Sequence, residues 1–131
     1  MQTTALALLL AAAAGSAQAA ITFKQFPATG IACPNSDASA DLISDTAALK
    51  AAAEAARNDV PVEESAANIA SGQCTSLKLP YYVTRTKQAN GEAAGLLSFA
   101  WDAASETIYY CTAQGLFSTS GNGYPDSCKR I

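Results

Sequence analysis

The sequence predicts an α+β domain held by two disulfides, and three observations carry the prediction. One segment has strong helical periodicity, at least three strand-like segments all follow it, and four cysteines occur in a short chain whose first residues read as a secretory leader. Helix and strands are segregated along the chain rather than alternating, which argues against a parallel βαβ sheet.

The leader is the run MQTTALALLLAAAAGSAQAA. It holds no charged side chain, an apolar stretch over residues 5–14, and an A-x-A triplet at residues 17–19, so residues 1–19 are expected to be a removed signal peptide. The apolar stretch is about half of the roughly 20 residues that a membrane-spanning helix needs. Residues 20–131 then form a single domain, expected to be exported and to have a core of modest size.

Between residues 39 and 58, Leu42, Thr46, Leu49, Ala53 and Ala56 recur at the three-and-four spacing of one helical face. Ser39 stands where it can cap this helix, Asp41 and Asp45 suit the positive end of its dipole, and Arg57 suits the other end. Lys50 and Glu54 form an i,i+4 pair on the wet side. An inner face so rich in alanine lets the helix lie close to a sheet.

Residues 59–73 have weak periodicity, a proline, two adjacent glutamates and a glycine, and read as an acidic, mostly irregular connection. Over residues 76–86, Leu77, Leu79, Tyr81 and Val83 alternate with Lys78, Tyr82 and Thr84, as in a half-buried strand. Pro80 removes a ladder donor and places this strand at an edge or a bulge. Residues 96–101 and 107–112 are two further strands joined by a short polar turn. The expected architecture is one N-terminal helix on one face of a small antiparallel sheet whose other face is open.

Four cysteines permit three pairings, which spacing does not separate. With no histidine and no C-x₂-C spacing, a zinc site is not expected, and no cofactor is indicated. Charge is uneven: residues 20–70 hold three Lys/Arg against seven Asp/Glu, and residues 71–131 hold five against four. Lys78, Arg85 and Lys87 are the nearest approach to an anion-facing patch. No oligomerisation signal is visible, and a monomer is expected.

The order of these features resembles the small secreted fungal guanyl- and purine-preferring ribonucleases and related ribotoxins. LKLPYY is similar to that family's Glu-aromatic-Pro strand, GLLSFAWDAASETIYYC to its Arg-containing hairpin, and SGNGYPDSC to its Ser-Gly-Asn loop ending in an aromatic residue and cysteine. The resemblance implies the pairing of Cys33 with Cys128 and of Cys74 with Cys111. By the resemblance, the family's glutamate base falls at Lys78, its arginine near Leu96 and its histidine acid at Leu116 or Phe117; the family's second histidine has no counterpart, because the chain has none. A lysine of ordinary pKa stays protonated at neutral pH, and leucine or phenylalanine cannot donate a proton. Proton transfer by each partner is typically worth about 10²- to 10⁴-fold, so the family's reaction is expected to be lost.

Within that family the chain looks like the ribonuclease-like effectors of plant-associated fungi, which lack catalytic residues. The resemblance then implies a binding protein for a host protein or RNA, active outside the fungus or inside a host cell. Lys78, Tyr82, Arg85, Lys87, Phe117 and Tyr124 are the candidate contact residues, since aromatic and arginine side chains dominate interface energies. Two other classes compete. A hydrolase would use two of Glu92, Glu106 and Asp126 as acid and base, and a toxin or protease inhibitor would present the loop over residues 122–125.

Overall fold

In the computed structural model the chain is described over residues 20–36, 40–118 and 123–131. The described elements are β1 (Thr22–Lys24), β2 (Gly30–Cys33), β3 (Leu42–Asp45), α1 (Thr46–Ala56), a 3₁₀ turn (Ala66–Asn68), β4 (Tyr81–Lys87), β5 (Ala93–Asp102), β6 (Thr107–Gly115) and β7 (Lys129–Arg130). They build an α+β fold with one helix and two sheets, ordered β1-β6-β5-β4 and β3-β2-β7.

The β5–β6 hairpin forms the centre because its residues are apolar on both faces. Nearly every residue of β5 between its two ends is buried. Opposite Ser98 and Phe99 the register slips: Ser98 pairs with Thr112 and Phe99 with Tyr110, leaving Cys111 as the extra residue of a β-bulge. The bulge places Cys111 with Tyr109 in the cluster that also holds Cys74. β4 pairs antiparallel with β5 as expected, and it is the edge strand that Pro80 forecast. The sheet is not wholly antiparallel, however, because β1 joins β6 in parallel, Thr22 opposite Thr107.

α1 begins later than its periodicity predicts. Leu42 belongs to β3, and the helix is capped by Asp45, whose Oδ1 accepts a bond from the Ala48 amide at 2.8 Å. The expected cap, Ser39, lies outside the described residues. Leu49, Ala53 and Ala56 are buried against Tyr82, Leu97, Phe99 and Trp101. Tyr82 and Phe99 lie parallel, ring centroids 5.0 Å apart. Lys50 turns to the Phe23 ring, 5.3 Å from its centroid, instead of to Glu54.

The strand expected over residues 76–86 starts only at Tyr81, so Lys78 precedes the sheet. The second sheet face is also not open as expected. Tyr81, Ala100, Cys111, Cys74 and Ala66 form a second buried cluster, packed by Ile69, Leu77 and Leu79 of the connection. An irregular segment can cover a sheet only if its polar backbone is satisfied. Here Ala66 N–H bonds Leu79 O at 2.7 Å, Gln73 N–H bonds Cys111 O at 2.8 Å, and the Cys74–Cys111 disulfide fastens the far end.

The other disulfide joins Cys33 of β2 to Cys128, the residue before β7, across the small sheet, and its sulfurs pack against Gly95 of the large one. It closes 95 residues and Cys74–Cys111 closes 37. On the chain-entropy view each contributes between about 3 and 5 kcal/mol. A hydroxyl brace joins the sheets as well. Ser44 Oγ spends its proton on Lys87 O at 2.7 Å, so Thr86 Oγ1, which touches it, is the donor of that pair. Both hydroxyl residues are fully buried.

Two outcomes follow. At Gly95 a Cβ would fall 2.8 Å from Cys33 Sγ and 2.8 Å from Gln114 O. Gly95→Ala should therefore cost about 1 to 3 kcal/mol by overpacking, read as a lowered Tm, and part of that loss should vanish when Cys33 and Cys128 are both alanine. Burial raises the phenol pKa of Tyr110, opposed by Arg130, and burial raises that of Tyr82, helped by the charge of Asp59. The neutral phenols favour the fold. Their contribution is complete below the unfolded tyrosine pKa of about 10 and is lost as pH rises above it. Chemical denaturation between pH 9 and 11 should show falling stability, less steeply in Tyr110→Phe.

Candidate functional site

Four of the eight basic side chains sit over aromatic rings: Lys24 on Tyr109, Lys50 on Phe23, Arg57 on Trp101 and Arg130 on Tyr110, at 5.0 to 6.0 Å from the centroids. Arg130 also donates to Gln25 O and Gln73 Oε1, closing the C-terminal strand onto the connection. Lys129 reaches Asp41 at 4.0 Å. Among the described residues, only Lys78, Arg85 and Lys87 then lack a recorded charge or ring partner, and these are the three cations the sequence singled out.

The structure divides them. Arg85 and Lys87 lie on β4, both exposed. Lys78 lies beyond the opposite end of that strand, roughly 20 Å away at the rise of a seven-residue strand. Tyr82 is buried under α1, so its ring packs the core and offers no contact surface. Phe117 is partly exposed just past β6, at the Lys87 end but two strands across, about 10 Å. Tyr124 is 91% exposed. The expected six-residue face is thus reduced to Arg85 and Lys87, with Phe117 and Tyr124 at the same end of the sheet.

Of the positions implied for phosphodiester chemistry, two lie close and one does not. Leu96 stands opposite Arg85 on one side and Gln114 on the other, two residues before Leu116, while Lys78 is off the sheet. The hydrolase alternative fails in part on distance. Glu92 and Glu106 lie at opposite ends of ten-residue β5, roughly 30 Å apart, whereas glycosidase carboxyls stand about 5 to 9.5 Å apart. Asp126 is held at the Glu92 end by its backbone, whose carbonyl accepts from the Gly115 N–H and whose N–H donates to Phe117 O. Of the inhibitor loop, Asn122 lies outside the described residues, and Gly123 and Tyr124 are exposed.

Arg85 and Lys87 border a groove of about 480 Å³ between α1 and the edge of β4. Ala48, Ala51, Ala52 and Ala55 make the helix wall, Thr84 belongs to the strand wall, and Asp59 lies beyond the C-terminal end of the helix. The groove therefore has an anionic end and a cationic end. The alanines do more than allow close packing: those at residues 51 and 55 lie off the buried stripe, so an apolar wall also faces outward.

The edge of β4 is partly covered by the chain itself. Tyr81 exchanges backbone bonds with Glu63, N–H to O at 2.9 Å and the return bond at 3.3 Å, as an antiparallel bridge. Glu63 is fixed in turn by the Asn68 side-chain amide at 2.9 Å. That bond, with the Ser65 amide, holds its carboxyl below the ordinary range. In this register the next position, opposite Val83, is Pro61, which has no N–H to give, and the ladder stops. Tyr81 directs its N–H and C=O outward, so Val83 and Arg85, two and four residues on, do the same. Among the described residues nothing pairs with those groups.

No family model, curated protein or solved structure matches this chain.

Proposed function

We propose that this chain is a secreted, non-catalytic ribonuclease-like protein of the fungal effector type, which acts by binding a host protein or RNA and so modulates plant immunity. The observation that carries the reading is chemical. A helix-on-sheet chain resembling a ribonuclease contains no histidine and has Lys78, Leu96 and Leu116 or Phe117 where the resemblance implies base, arginine and acid. The Cys33–Cys128 and Cys74–Cys111 disulfides support it, since that pairing is one of three and is the one the resemblance implies. The unpartnered Arg85 and Lys87 beside an apolar groove support a binding role over a catalytic one.

Incubation of the purified protein with RNA and with a guanylyl dinucleotide should yield no cyclic phosphate. Turnover that copurifies with the protein and survives removal of contaminating nuclease would overturn the proposal. If RNA is the partner, Arg85→Glu with Lys87→Glu should weaken binding and flatten its dependence on salt.

A further inference from the structure

We propose that the uncovered edge of β4 takes up an extended peptide segment of a partner protein as an added antiparallel strand, with small apolar side chains against the alanine wall of α1. The inference deepens, and rests on, the reading of this chain as a binding protein.

The edge chemistry selects this occupant. Val83 and Arg85 present two N–H and two C=O groups in line, a pattern that only another extended backbone satisfies in full. The chain demonstrates the pairing at Tyr81, where Glu63 adds in the antiparallel sense, and Pro61 keeps the chain's own segment from occupying the next two positions. Alternate side chains of an added strand point to the helix side of the sheet, where the groove lies.

Charge sets the polarity and disfavours self-pairing of this edge centred on Arg85. That register would set Arg85 against Arg85 and Val83 against Lys87, and like charges directly opposite destabilise a ladder. A strand running antiparallel to β4 begins near Lys87 and ends near Asp59. The favoured ligand therefore carries acidic residues toward its N-terminal end and a basic residue toward its C-terminal end, with valine or alanine between.

The test uses two fluorescein-labelled eight-residue peptides, capped at both ends, in which valine alternates with charged residues. One has glutamates in its first half and a lysine near its end; the other has the reverse order. Anisotropy should show at least about tenfold tighter binding of the glutamate-first peptide. Hydrogen exchange should slow at the Val83 and Arg85 amides on saturation. Val83→Pro, which removes an outward N–H that the β4–β5 ladder does not use, should abolish the protection. Should that variant fail to fold, Arg85→Glu with Lys87→Glu should instead reverse the preference between the two peptides. Equal affinity for both peptides, unchanged exchange at Val83 and Arg85, or sedimentation as a dimer joined through this edge would each overturn the proposal. Failure here leaves the RNA result untouched, and cleavage of RNA would overturn the functional reading whatever the peptides do.

Discussion

The closure of Cys33 onto Cys128 across Gly95 is the constraint on which the arrangement rests. The three-stranded sheet is small: β3 and β2 have four residues each and β7 has two. Strands this short and few do not sustain themselves in water. They persist because the sulfur bridge presses them onto β5 at the one residue without a side chain, while the Ser44–Thr86 hydroxyl pair fixes the neighbouring contact. Helix α1 follows β3 directly, so its placement over the large sheet inherits the same anchorage.

The second disulfide does different work. It binds the connection to the back of the sheet, so that a segment whose one regular element is the 3₁₀ turn Ala66–Asn68 still buries Ala66 and shelters Tyr81 and Ala100. A domain of this length gains from covering both faces of β5, because a sheet wet on one side would bury much less apolar surface. The cost is that little of the second face remains for a catalytic cleft. What stays accessible is the strip around Val83, Leu96 and Gln114 and the edge of β4.

The hairpin is legible in the sequence because two short runs, LLSFAW and TIYYCT, rich in leucine, aromatic and β-branched residues, are broken by one polar turn. The helix was legible in its middle and not at its start. Leu42 continues the helical spacing by coincidence, while the local chemistry, an aspartate three residues before Ala48, marks the true cap. β1, β2 and β7 left no trace, since two to four residues cannot display a period, and β2 is buried at every position. Lys78 falls outside the sheet because Leu77 and Leu79, which alternate as a strand does, pack on the second cluster from the irregular stretch before Pro80, and β4 starts only at Tyr81. The groove lies between elements far apart in the chain, so no local pattern announces it; only its cations and its outer alanines were visible beforehand.

The wall of alanines on α1 has an entropic consequence. Long side chains at a contact surface lose rotamer freedom when something settles on them, roughly 1.5 to 2 kcal/mol for a residue such as lysine or glutamine, whereas alanine has none to lose. A surface of methyl groups on a helix already fixed by the core is thus as ordered before an encounter as after it. On that wall the freedom lost is the incoming segment's own, and on the protein side it is confined to Arg85 and Lys87 at the rim.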